Sequence, residues 1–580
     1  MKKLIILASL VLAGIATCTT TASRETDKKD EKQKQQIAEV KKESREKISA
    51  KTDKNKRQEK LLNGAGIAAA ETKAAPAGDY YKKRIPGYGT ALTTRERSYK
   101  VKQQQWNTES YDHISANGFK AVKNSPLSTF SVDVDTASYA NIRRFIRNGS
   151  LPPRDAVRIE ECINYFSYDY PQPEDDKPFA VYTEYSSCPW NKKHRLLHIG
   201  LKGKTIKTED LPLNNLTFLI DVSGSMRSSA KLPLLKKAFS LLVKKMRPED
   251  KIAIAVYAGA AGLVLPSTAG THKEKILAAL NNLRSGGSTA GGAGIKLAYK
   301  TARNNFIKGG NNRIIIATDG DFNIGPSSDA AMVRLIEKNR DQGIFLTTLG
   351  FGMGNYKDSK MEKLADKGNG NYAYIDSLLE AKKVLVTEMG GTLFTIAKDV
   401  KLQLEFNPAL VKAYRLVGYE NRILAKEDFN DDQKDAGEIG AGHTVTALYE
   451  IITSDSGEEL TDVDPLKYQK QTVRTDEKYG NEILTVKLRY KLPTASKSKL
   501  LKHPVASQPL SLAQTSDSFR FAAAVAEFAM VLRESKYKNE ATFTSALKLA
   551  QDARGRDPQG LRGEFIRLIH SAQLLQRPGS

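Results

Sequence analysis

Three short stretches of the chain concentrate oxygen-bearing side chains in small, glycine-containing loops. Asp221, Ser223 and Ser225 follow Asp-x-Ser-x-Ser spacing, Thr289 lies inside Gly-Gly-Ser-Thr-Ala-Gly-Gly (286–292), and Asp319 lies in Thr-Asp-Gly-Asp (318–321). Carboxylates and hydroxyls are hard donors, and a set with few carboxylates suits an octahedral Mg²⁺ or Mn²⁺ that keeps some of its waters. Each stretch alone has an ordinary structural reading, because Asp and Ser cap helices and Gly/Ser/Thr loops turn chains. The signal lies in their order and in their shared position beside apolar runs. Binding rather than catalysis is the chemistry they suggest. No His or Glu stands in the three loops to act as a general base, and no Gly-Lys-Ser/Thr follows the glycines to make a phosphate loop. Neither a Gly-x-Ser-x-Gly elbow nor a His-Glu-x-x-His pair occurs anywhere in the chain.

For these loops to meet, one scaffold edge must carry them. Residues 216–220, Leu-Thr-Phe-Leu-Ile, form the continuous apolar run of a strand buried on both faces. Further strands are expected at 252–257, 263–265, 313–317, 344–349 and 372–375. They alternate with helices at 232–246, 273–283, 294–304, 328–341, 360–366 and 378–389. Repeated βα units predict an α/β fold with a doubly wound, mostly parallel sheet, whose ligands sit at the carboxyl ends of the strands. The short 263–265 strand is its expected antiparallel edge. Asp221 then ends the first central strand, Asp319 follows the 313–317 strand, and Thr289 precedes a helix at the same edge. Asp321 reads as a solvent-facing turn residue.

With every position of Asp-x-Ser-x-Ser, a distant Thr and a distant Asp filled, the constellation resembles the metal-ion-dependent adhesion site (MIDAS) of von Willebrand factor type A (VWA) domains. The resemblance implies direct ligation by Ser223, Ser225 and, in some states, Thr289, with Asp221 and Asp319 holding coordinated waters. It also implies an open position for an Asp or Glu carboxylate of a partner protein, since a metal with little direct carboxylate ligation still attracts an external anion. Residues 126–139, 151–161 and 164–166 resemble the N-terminal domain of a bacterial family of VWA lipoproteins, and residues 519–528 and 563–568 resemble its C-terminal domain. The expected organisation is an α+β domain at 105–208, the VWA domain at 209–396, and a C-terminal domain at 397–580. That last domain is antiparallel β first and helical afterwards, with a polar break at 496–507.

The N-terminal region speaks to location. Lys2 and Lys3 precede an apolar stretch at 4–15, the pattern of a signal peptide (1–17) too short to anchor as a membrane span. Ile15-Ala16-Thr17-Cys18 resembles a lipobox, which implies acylation of Cys18 and attachment of an exported protein to a bacterial envelope membrane. Cleavage near Ala22-Ser23, leaving no lipid, is the alternative. Residues 18–104 begin with a run rich in Lys, Glu, Gln, Asp and Thr and read as a disordered tether and linker. The net charge of +24 favours anionic partners, but export argues against nucleic acid. The expectation is therefore a Mg²⁺-dependent protein-binding scaffold and not an enzyme. One alternative is a structural envelope protein that binds anionic lipid or polymer through its basic surface; a metal-dependent hydrolase is the other.

Three smaller expectations complete the reading. Asp133-Val-Asp135-Thr136-Ala-Ser138 resembles half an adhesion-site loop but is expected to cap the helix that starts at Ala137. The adjacent pair Glu160-Glu161 is expected to be a solvated edge. Cys162 and Cys188 could pair in an oxidising compartment or remain buried thiols.

Overall fold

A computed structural model describes residues 109–132, 135–174, 177–287, 291–320, 329–353, 356–388, 394–459, 479–493 and 495–576. The signal peptide, Cys18, the tether, Asp133, Thr289 and Asp321 lie outside the described residues. In chain order, the first part contributes β1 (Lys120–Ala121), β2 (Leu127–Ser131), α1 (Ala137–Arg147), α2 (Ile159–Asn164), β3 (Phe179–Cys188) and β4 (Asn191–Gly203). The central part follows as β5 (Asn214–Asp221), α3 (Leu232–Lys245), β6 (Lys251–Tyr257), β7 (Ala261–Ala269), α4 (Lys273–Asn282), α5 (Gly291–Asn304), β8 (Asn311–Thr318), α6 (Asp329–Arg340), β9 (Ile344–Phe351), α7 (Asp358–Lys367), β10 (Tyr372–Ile375) and α8 (Leu378–Lys382). The last part comprises β11 (Thr395–Phe406), β12 (Val411–Val417), β13 (Gly437–Gly440), β14 (Thr444–Thr453), β15 (Glu482–Lys491), β16 (Lys499–Ala506), α9 (Asp517–Leu532), α10 (Phe543–Asp552) and α11 (Leu561–Leu575).

The central sheet runs β10-β9-β8-β5-β6-β7, parallel except for the antiparallel β7 at its edge. Strand β5 is buried along its whole length, and its alternation divides it between two cores. Leu216, Phe218 and Ile220 pack with Leu235, Phe239 and Leu242 of α3. Leu219 faces the other way, toward Ile295, Ala298, Tyr299 and Ala302 of α5. A glycine in the first turn of α5 serves this packing: a Cβ on Gly294 would lie 2.9 Å from Tyr257 Cβ and 3.2 Å from Leu219 Cδ1, so glycine lets the helix close onto β5 and β6. The chain winds away from β5 in both directions, which opens a crevice at its carboxyl end.

The flanking parts depart from the expectation of separate domains. Strand β4 pairs with β14, and β2 pairs with β11, so residues 105–208 and 397–580 build common antiparallel sheets. An apolar strand with one partner from its own segment still has an open edge, and the distant segment closes it. The helical core is shared as well, with Tyr139, Ile163 and Phe166 packing among Phe521, Phe528 and Phe565. Residues 499–506, inside the expected polar break, form edge strand β16 against β15. Its two lysines and Pro504 suit an edge, where one row of backbone groups faces solvent.

Arginines from the flanks clamp carboxylates of the central part. Arg143 meets Asp376 at 2.5 Å, Glu380 at 2.6 Å and Glu564 at 3.0 Å, and also donates to Tyr165 Oη at 2.8 Å. Arg158 holds Asp358 at 2.8 Å and Glu362 at 3.1 Å, while Arg422 holds Asp366 at 2.7 Å. Glu160 and Glu161 are buried, contrary to the solvated-edge expectation. Glu161 accepts from the backbone N–H of Ser138 at 2.8 Å and pairs with Arg158, because α2 is wedged between core elements instead of lying on the surface. The capping expectation at α1 also gives way: Thr136 makes no side-chain cap, Asp135 accepts from Tyr372 N at 2.8 Å, and Ser138 donates to Ala156 O. Cys162 and Cys188 are buried free thiols.

Two outcomes follow from this burial. Arg143→Met strands Asp376 and Glu380 without their shared cation, and chemical denaturation should register a loss of about 3–5 kcal/mol; a loss near zero would show the clamp to be dispensable. Burial also pushes the Glu527 carboxyl up from 4.5 to about 7. A carboxyl raised in the folded state contributes stability that is complete below its unfolded pKa and is lost as pH rises through 7. Glu527→Gln, which still accepts from Ser545 Oγ, should match the wild type at pH 4 and exceed it by about 3 kcal/mol at pH 8 in thermal melts.

Candidate functional site

The first loop leaves β5 at Asp221, which is fully buried. Both carboxylate oxygens are occupied. Oδ1 accepts from Ser223 N at 2.9 Å, and Oδ2 accepts from Tyr257 Oη at 3.2 Å and Thr318 Oγ1 at 3.0 Å. These donors come from the loop itself, from β6 and from β8, so the carboxylate ties three strand ends together. Desolvation raises its pKa from the ordinary aspartate value, and nearby Asp319 adds to the rise, while the Ser223 and Thr318 hydrogen bonds oppose it.

Ser223 is buried and Ser225 is exposed, and their Oγ atoms lie 2.9 Å apart. A turn of 3₁₀ helix over Gly224–Arg227 sets this approach. The hydroxyls form a step from the buried carboxylate to the surface. The second loop is bound to the first: Gly286 N donates to Val222 O at 2.7 Å, and Gly224 N donates to Gly287 O at 3.1 Å. Gly287 has φ +85°, a conformation that favours glycine at this crossing. Thr289 follows two residues later, outside the described residues. The third loop carries Asp319, buried at the end of β8 directly after Thr318. The structure thus brings Asp221, Ser223, Ser225 and Asp319 to one sheet edge, and it fixes the base of the loop that bears Thr289.

The donor chemistry fits a hard divalent cation. Two hydroxyls and two carboxylates supply oxygen alone, as Mg²⁺ or Mn²⁺ requires. Among the described residues no cluster of three or more His, Cys, Asp or Glu could hold a metal. A hydroxyl-rich site with two acids is of a different kind.

Reading the sequence missed three residues here. Thr318 and Tyr257 both donate to Asp221 Oδ2, and Lys231 Nζ meets Asp319 Oδ2 at 2.8 Å. Tyr257 reads as an ordinary strand residue, and Thr318 as part of the third loop with no role of its own. Lys231 left one faint signal: it stands at the N-cap of α3, where the helix dipole disfavours a cation.

Comparison with known proteins places these features in context. Residues 215–387 match the von Willebrand factor type A domain, residues 105–198 match a family described as von Willebrand factor, and residues 391–575 match the C-terminal family of uncharacterized protein YfbK. The chain is 45% identical to uncharacterized protein YfbK of Escherichia coli (strain K12), over 80% of this chain and 81% of that protein. It is 25% identical to uncharacterized protein sll0103 of Synechocystis, over 60% of this chain and 76% of the relative. Among solved structures, a von Willebrand factor type A protein from Catenulispora acidiphila aligns at 14% identity and a TM-score of 0.38, covering 70% of this chain and 92% of that one.

The hydrogen bonding around Asp221 generates a direct test. Thr318→Val removes one buried donor and leaves Asp221 short of a partner, so the protein should lose about 1–3 kcal/mol in denaturant titrations. Unchanged stability would mean that Tyr257 and Ser223 satisfy the carboxylate unaided.

Proposed function

Because the chain belongs to the bacterial family of VWA-domain proteins that includes YfbK of Escherichia coli, we propose that it is an envelope-anchored adhesion scaffold. On this reading it captures an acidic residue of a protein partner through a Mg²⁺-dependent site. VWA domains generally mediate protein–protein contacts, which supports this reading. One observation carries the reading: the step from Asp221 through Ser223 to the exposed hydroxyl of Ser225, fixed by bonds to two neighbouring strands.

Ser223 and Ser225, joined in some states by Thr289, would hold the ion directly, and Asp221 and Asp319 would hold its waters. When bound, a divalent ion supplies positive charge that attracts a partner's carboxylate. The chain's own part is to keep Asp221 fixed by three donors, to keep the second loop's backbone against the first, and to leave Ser225 open to solvent. No His or Glu stands in the three loops to activate a water, so the reading is of a binder and not an enzyme. Acylation of Cys18 would fasten the protein to a membrane, with residues up to 104 as the tether.

Asp221→Ala or Ser223→Ala should abolish EDTA-sensitive capture of the partner from native envelope extracts while far-UV circular dichroism stays unchanged. Undiminished capture by both variants would falsify the adhesion mechanism. Capture that resists EDTA and weakens with salt would instead favour the basic surface, since exposed charges are screened. For the anchor, Cys18→Ala should release the protein from the membrane fraction, and its retention there would point to another attachment.

A further inference from the structure

Asp319 already has a cation beside it. Lys231 Nζ lies 2.8 Å from Oδ2, and the two side chains are 9% and 0% exposed. Such burial is costly for an ammonium unless it is paired, and nothing on its own helix favours it. Lys231 is the N-cap of α3, and the first turn carries no acid. Positive charge at a helix start is opposed by the dipole, so Asp319 is the group that accounts for the lysine's position.

The route of the side chain is also built in. Gly352, at φ +79° just beyond β9, lies alongside the stem; a Cβ there would stand 2.2 Å from Lys231 Cε, 2.5 Å from Cγ and 2.8 Å from Cδ. Glycine at this position clears a slot through which the lysine reaches the carboxyl ends of β8 and β9. The ammonium therefore meets the oxygen cluster at Asp319, one of its two acids.

We propose that Lys231 is an internal competitor of the divalent ion for Asp319, so that the site takes up its metal weakly until a partner's carboxylate joins it. The inference rests on the adhesion-site reading and deepens it. With the lysine in place, the two carboxylates Asp221 and Asp319 offer the ion one net negative charge instead of two. A carboxylate from the partner restores the missing charge, so metal uptake and partner capture reinforce each other.

Calorimetric titration of Mg²⁺ and of Mn²⁺ into EDTA-stripped full chain tests this, comparing the wild type with Lys231→Met, Lys231→Gln and Lys231→Arg. Methionine and glutamine keep a stem of comparable length without the charge, and two neutral variants guard against one failing to fold. Both should bind the metal about tenfold or more tightly than the wild type, given the strength of charge interactions at partly buried sites, and Lys231→Arg should stay within about threefold of the wild type. Metal binding by the neutral variants with none by the wild type would support the competitor role and remove the Mg²⁺-dependent mechanism from the natural protein. Equal affinities in wild type and neutral variants would overturn the competitor role and leave the adhesion site standing. Absence of binding in every form, with circular dichroism unchanged, would overturn both.

Discussion

A carboxylate buried at the end of a central strand is the constraint around which the site is organised. Asp221 is buried away from solvent, so its oxygens must find donors within the fold. The donors come from three places: its own loop, Tyr257 on one neighbouring strand and Thr318 on the other. Satisfying one charge therefore fixes the relation of β5, β6 and β8 at their carboxyl ends. The serine hydroxyls and Asp319 inherit their positions from that arrangement.

Charge pairing also joins the central part to its flanks. Arg143, Arg158 and Arg422 approach acids that line α7, β10 and α8 of the central sheet's periphery. Buried ion pairs of this sort contribute modestly to net stability when intact, but they penalise any arrangement that separates the partners. They act beside two shared antiparallel sheets and a helical core drawn from both ends of the chain. The central domain is thus held in a frame made by two segments that lie far apart in sequence.

Much of the central domain was legible because its signals are local. A run such as Leu-Thr-Phe-Leu-Ile can be buried on both faces only in a middle strand, and the alternation of such runs with amphipathic helices specifies parallel βα units. The antiparallel edge β7 was visible for the same reason, in a short strand joined by a tight turn to its predecessor. The flanks were less legible. Pairing of β4 with β14 or β2 with β11 depends on contacts between residues more than two hundred positions apart, and no local pattern encodes a partner at that distance. Strand β16 escaped notice because edge strands carry the polar residues and proline that otherwise mark loops.

By itself the sequence determined the chemistry on offer: oxygen donors in three glycine-containing loops, placed at the ends of strands whose periodicity is written in adjacent residues. Tertiary structure alone decided what neutralises those donors. Lys231 reaches Asp319 past Gly352, and Glu160 and Glu161 sink into a core although their spacing suggests a surface. The physical reason is the range of the forces involved. Backbone preference and hydrophobic alternation act between near neighbours, whereas the electrostatic compensation of a buried charge depends on whichever group the completed fold carries to its side.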